Sequence, residues 1–338
     1  MTAPTNGVVY AMSPSGYALP VINVTHPAFK ADDSPEAVEG LRREYAELEE
    51  QRKRMPKWLM RIVMFFVKRK SRLLRTLLEP DSPVLDGLST YVFKLGADKL
   101  PPQFDNKFDR RLARSPAGKA MGLRVQQMAR LLAMGVKQAL IDRPDAPLYM
   151  INIGGGSAMD SLNALIVLRA ENPRWLERPI FIHVLDPDAR APQFGFNALG
   201  ALSAEGQPLA GLSINWNNET YDWNDTQLLE TVVASASAQS MIIVASSEGA
   251  LFEYGSDPAI VANLKALYAN GNGARAVAGS VTRADPLTRE TLALKLWGLI
   301  PRGVEGFAEL IRGTGFTIAQ VEPGLMGDQV LLQAKREK

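Results

Sequence analysis

The chain has no cysteine and only two histidines, His26 and His183. The first absence excludes zinc-thiolate centres, cysteine nucleophiles and redox disulfides. The second argues against a polyhistidine site, and no metal is expected. No long apolar run is present either. The longest, 58–67, is broken by Arg61, and as a helix it would cover about 15 Å, half a bilayer core, so no membrane span is expected. An excess of one charge sign is also missing. Lys plus Arg number 38 against 36 Asp plus Glu, a net +2, which gives no global reason to expect a nucleic-acid partner. The first thirty residues carry Pro4, Pro14, Pro20 and Pro27 where a signal peptide would have a basic stretch and an apolar core, so a cytoplasmic location is expected.

What is present suits a folded protein. The 338 residues are 46% hydrophobic and 22% charged, enough for a sizeable core in one large domain or two ordinary ones. The texture changes near residue 145. Residues 1–145 read as an irregular arm (1–33) followed by helices, and 146–338 as alternating strands and helices. Ser34 and Pro35 open a helix that should run to about Met55. Pro56 restarts one over 57–78, and further helices are expected over 83–98 and 115–141. Between Gln51 and Arg75 stand ten Lys/Arg and no acid. Two readings arise: a basic surface for an anionic partner or membrane face, or a core helix with solvated ends. Trp58, Ile62, Phe65 and Phe66, with apolar neighbours nearly all round, favour burial.

From Leu148 on, strands are expected at 148–153, 180–185, 212–216, 241–245, 274–280, 316–321 and 329–334. Helices are expected at 160–171, 225–236, 257–269, 291–299 and 305–312. That alternation means an α/β fold with a doubly wound, mostly parallel seven-stranded sheet. Ligands bind beyond the carboxyl ends of such strands. There the first strand runs into Gly154, Gly155, Gly156 and Ser157, and the second ends at Asp186, whose carboxylate can accept from both hydroxyls of a ribose. A dinucleotide fingerprint would require Gly or Ala at position 159, which is Met.

The spacing Gly154-x-Gly156-x-Ala158 instead resembles the first motif of the class I S-adenosylmethionine (SAM) dependent methyltransferases. The resemblance covers 148–338. It implies a Rossmann-like methyltransferase fold with SAM as cosubstrate and an N-terminal helical lid. By that resemblance Asp186 matches the ribose-binding acid. Asn215, Trp216 and Asn217 fall where the family holds the adenine edge, with Tyr221 and Trp223 close by. The segment 241–249 resembles the fourth strand and the loop over the substrate, and 307–334 the antiparallel ending. One departure is Asn152, where an acid is common. Asn152, Gly154–Gly156, Ser157 and Asp160 are the remaining candidates for the cofactor.

Methyl transfer needs alignment and often a base. Candidates are Ser246 and Glu248 after the fourth strand, and Tyr17 and His26 in the arm; His183, inside a strand, reads as structure. The substrate is expected to be a small molecule, in keeping with secondary metabolism, with no nucleic acid. Apolar faces in 56–100 allow a homodimer. Two alternatives stand beside methyl transfer. One is the related azetidine-2-carboxylate synthase chemistry, in which the amine of SAM attacks its own γ-carbon and releases methylthioadenosine; the closed lid and neutral Asn152 suit it. The other is a non-catalytic SAM- or nucleoside-binding or interaction module.

Overall fold

The computed structural model describes residues 7–77, 87–293 and 298–335. The arm, expected to be irregular, forms a small antiparallel hairpin of β1 (Tyr10–Met12) and β2 (Ala18–Pro20). Helix α1 (Pro35–Arg54) begins as expected, with Ser34 Oγ accepting from the Ala37 amide. The expected 57–78 helix is two pieces, α2 (Lys57–Lys70) and α3 (Arg72–Leu77). Ser71 separates them with extended backbone, its hydroxyl bonded to buried Asp109 and accepting from the Leu74 amide at 2.9 Å. Residue 78 and the first turn of the expected 83–98 helix lie outside the described residues; α4 spans Gly87–Lys94. A short α5 (Lys107–Ala113) follows, then α6 (Pro116–Asp142), capped by Ser115 with Pro116 in the first turn.

The alternating half comprises β3 (Leu148–Ile153), α7 (Met159–Glu171), β4 (Ile180–Asp186), α8 (Arg190–Leu202), β5 (Ile214–Thr220) and α9 (Gln227–Ala238). It continues with β6 (Ile242–Ser247), α10 (Leu251–Tyr254), α11 (Asp257–Tyr268) and β7 (Ala276–Thr282). The chain then forms α12 (Pro286–Leu292), α13 (Gly303–Leu310), β8 (Phe316–Glu322) and β9 (Gly327–Ala334). In place of the expected 291–299 helix, α12 lies earlier and ends at Leu292, because Asp285 caps it through the Thr288 amide; residues 298 and 299 are not helical, and 294–297 lie outside the described set.

Helix α8 departs from expectation more. Pro192, Gly195 and Gly200 argue against a helix there, but Phe194, Ala198, Leu199 and Leu202 bury an apolar stripe that holds it. Gly195 has a steric reason: a Cβ there would lie 2.5 Å from the Ser157 carbonyl oxygen and 2.7 Å from the Trp216 ring.

The strands pair in the order β5-β4-β3-β6-β7-β9-β8, parallel except for antiparallel β9 on β7 and β8. Alternate side chains feed two cores. Leu148 and Met150 meet α6, α7 and α8 on one face, while Ile151 and Ile153 meet the α9 and α11 side on the other. Burial on both faces explains the continuous apolar runs. Helix α6 crosses β6, β7 and β9, so N-terminal helix packs on the same sheet as the C-terminal elements.

The expected burial of α2 is not observed. Trp58 is 64% exposed and Phe65 61%, with Ile62 and Phe66 also exposed, while Leu59, Met60 and Val67 are half-buried. A helix that is apolar all round and docks by one side leaves the other uncovered. Among the described residues, no helix is long and apolar enough to cross a membrane.

Candidate functional site

At the carboxyl end of β3 the chain reverses through Gly154 (φ +65°) and Gly156 (φ +64°), both left-handed and cheap only for glycine. Ala158 adopts φ +48° just before α7, a strained value for a residue with a Cβ. Asn152 holds the turn from below. Its Oδ1 accepts from the Gly155 amide at 3.0 Å, and its Nδ2 donates to Asp160 Oδ1 at 2.9 Å and Ser246 Oγ at 3.1 Å. Strand register explains the meeting, since Asn152 lies opposite Ser246. Asp186, at the end of β4, accepts from the Gly156 amide at 3.0 Å and from the Asp188 amide at 2.9 Å. Thus Asn152, Gly154–Gly156, Ser157, Asp160, Asp186 and Ser246 come together at one strand-end site.

A pocket opens beside this turn. Its walls combine Gly154–Gly156 with Thr90, Phe93 and Lys94 of α4, Met121 and Arg124 of α6, Glu248, Glu253, Tyr254, and Leu325 and Met326 of the β8–β9 turn. Four charged groups meet there. Lys94 Nζ donates to Glu248 Oε2 at 2.5 Å and Arg124 Nε to Glu248 Oε1 at 2.6 Å, with Arg124 Nη1 3.4 Å from Glu253 Oε2. Lys94, Glu248 and Glu253 are buried.

Burial opposes ionisation of Glu248, but the charges of Lys94 and Arg124 and their hydrogen bonds outweigh it and hold the carboxyl below its ordinary range. Burial also pulls the Lys94 ammonium down, against the attraction of Glu248. Glu253 is pushed up by burial, with Arg124 opposing. Asp160 is pushed up to about 6, first by burial and then by the charge of Glu248. A carboxylate held by two cations is a weak base, so Glu248 is better suited to orienting Lys94 and Arg124 than to taking a proton.

Two residues expected at the site stand elsewhere. Tyr17 and His26 do not line the pocket. The Tyr17 ring packs edge-on against Phe104 at 6.4 Å. His26 Nδ1 accepts from the Ala28 amide at 3.1 Å, in a separate cavity with Asn23, Phe29 and Gln207.

Asn215, Trp216 and Asn217 also stand away from the strand ends. Pairing sets Thr220, not Asn217, level with Asp186, so Asn217 lies about 10 Å back along β5. The Trp216 ring packs beneath α8 at Gly195, and Asn217 bonds His183 and Glu219. Tyr221 is buried and donates to Asn263 Oδ1 at 2.7 Å, whereas the Trp223 ring reaches the glycine turn at Gly154. Lys94, Arg124 and Glu253 were not legible as site residues: each sits in a helix whose other signals are structural, and its partners are remote in sequence.

The strand order and the antiparallel β9 define the chain as an α/β protein with a Rossmann-like, mostly parallel seven-stranded sheet. The chain resembles a solved Bordetella parapertussis structure described as a possible exported protein, with a TM-score of 0.53, 15% identity, and coverage of 90% of this chain and 99% of that one. It also matches, with a TM-score of 0.37 and 17% identity, an O-methyltransferase (NcsB1) of neocarzinostatin biosynthesis in complex with SAM and a naphthoic acid, over 77% of this chain and 73% of that one. A SAM-dependent methyltransferase of Methanosarcina mazei matches 56% of this chain and 93% of its own, at 10% identity and a TM-score of 0.38. No protein-family model and no curated protein matches the chain.

Proposed function

We propose that the protein is a SAM-dependent enzyme acting on a small molecule, in the manner of the methyltransferases of secondary metabolism. The observation that carries the reading is the continuity between the glycine turn and the pocket with the buried Lys94–Glu248–Arg124–Glu253 cluster. The residues fit the cosubstrate. The glycine turn admits backbone contact without Cβ clashes; in this reading Asp186 at the end of β4 takes the ribose hydroxyls, and Trp223 offers its ring to the adenine in place of Asn215–Asn217. Asn152 and Asp160 stand at the amine end. Bound there, SAM would supply an activated methyl group.

The chain's own part is positioning. Lys94 and Arg124 orient an acceptor bearing a carboxylate or another anionic oxygen. Phe93, Met121 and Leu325 exclude water, which strengthens the charge interactions inside. In this reading 1–145 closes the site that 146–338 builds, the enzyme works in the cytoplasm, and neither metal nor nucleic acid takes part. A homodimer is compatible with it.

Isothermal calorimetry with SAM tests the reading, and measurable affinity is expected. No heat and no thermal shift would overturn it in favour of an interaction module. Cyclisation of SAM to azetidine-2-carboxylate is a second reading. The observation favouring that reading is the reduced negative charge at the amine end: Asn152 is a neutral amide, and burial makes the Asp160 carboxyl a weaker acid, pushed up to about 6. A neutral amine is the nucleophile such a reaction needs. Incubation with SAM alone, followed by mass spectrometry, separates the two. Methylthioadenosine with a four-membered amino acid selects cyclisation; intact, bound SAM excludes it and directs the test to small acceptors, where release of S-adenosylhomocysteine selects methyl transfer.

A further inference from the structure

Nothing in the pocket chemistry uses α2. Its outward face carries Trp58, Ile62, Phe65 and Phe66, spaced i, i+4, i+7 and i+8, so they form one stripe. All four are exposed, between 46% and 64%. The Phe65 and Phe66 rings meet edge to face at 5.7 Å. Arg69 and Lys70 continue the helix and are exposed. The stretch 51–75 holds ten basic residues and no acid. The helix is moored at its C-terminal end, where Ser71 bonds Asp109 and Leu73 is fully buried.

We propose that α2 is an in-plane anchor to an anionic lipid bilayer. Fourteen residues make a helix of about 21 Å, too short to span but long enough to lie at the headgroup boundary. Aromatic and aliphatic side chains enter the acyl boundary from such a helix, and basic ones pair with anionic headgroups. A second copy of the chain is a poorer occupant, because a symmetric contact through α2 would bring two acid-free basic segments together. Nucleic acid would match the charge but not a stripe that includes Ile62.

Flotation with phosphatidylcholine vesicles, with and without phosphatidylserine, tests the anchor. Binding is expected only with phosphatidylserine, and it should weaken with salt. Trp58→Ser/Phe65→Ser and Arg69→Glu/Lys70→Glu should each reduce affinity about tenfold. Brominated lipid should quench tryptophan emission in the native chain but far less in Trp58→Phe, which retains binding. Circular dichroism of each variant confirms that the fold is kept. Absence of binding to phosphatidylserine vesicles would overturn the proposal. So would a dimer in sedimentation that the apolar variant dissolves, or RNA binding without vesicle binding.

Discussion

Two clusters of basic side chains in this molecule obey opposite rules. Lys94 and Arg124 sit inside, where each cation is matched by Glu248 or Glu253 within 3.4 Å. The run at 51–75 contains no acid of its own; Arg52 and Lys53 reach Glu49, Glu50 and Glu290 outside it, with the Lys53 pairs open to water. The difference is solvation. A charge removed from water must find a partner or lose its charge, whereas a charge in water needs none. The inner cluster therefore reports a designed local field. The outer run reports only its surroundings, unless something anionic approaches it.

The strongest test of the inner cluster is to remove one member. Glu248→Gln leaves Lys94 buried without its counter-charge, and loss of about 3–5 kcal/mol is expected in urea unfolding. The double replacement Lys94→Met/Glu248→Gln should recover part of that loss, because Arg124 retains Glu253. A cost below about 1 kcal/mol, the level of exposed pairs, would show that the cluster is solvated and that the two regions do not differ.

The next effect is a pH dependence. Asp160 titrates near 6 in the folded protein, above its ordinary 3.8. A raised acid contributes its full stability below the unfolded pKa and loses it as pH rises through the folded one. Native stability should therefore fall, relative to Asp160→Asn, between about pH 4 and pH 6 and level off above. The total difference should approach about 3 kcal/mol, two pKa units and a little more. Urea melts at several pH values measure it. A flat difference would mean that Asp160 is not desolvated.

Asp186→Ala addresses the glycine turn. Two hydrogen bonds from a ribose to a carboxylate are worth about 3 kcal/mol or more, so SAM affinity should fall by about a hundredfold or more, with the fold retained. Unchanged calorimetric affinity would remove Asp186 from the cofactor site.

Legibility in the sequence followed locality. The strands at 148–153, 180–186 and 276–282 announce themselves as apolar runs because both faces are buried. The glycine turn and Asp186 stand beside them in the chain. Helix α8 was hidden by Pro192 and Gly195, which tertiary packing overrides. Asn215–Asn217 were expected at the strand end, but they stand back along β5 because the level of one strand against another is a matter of pairing register. Lys94 and Arg124 were hidden more deeply. A cation in a helix ordinarily faces water, and the partner that draws both inward, Glu248, lies 154 and 124 residues away.

The smallest expected effect sharpens the comparison from the outer side. Trp58 and Phe65 expose more than half of their surface, so truncating them removes little that folding has buried. Trp58→Ser and Phe65→Ser should each change unfolding free energy by no more than about 0.5 kcal/mol, the range of ordinary surface substitutions. A buried aromatic would lose about 3–5 kcal/mol on comparable truncation. The same substitutions should nevertheless weaken attachment to phosphatidylserine vesicles. That combination, near-neutral for folding and costly for binding, distinguishes a face kept for a partner from a face the fold itself needs. Destabilisation on the buried scale would mean that α2 is covered in solution, and the contrast between the two basic clusters would then be one of partner rather than of solvent.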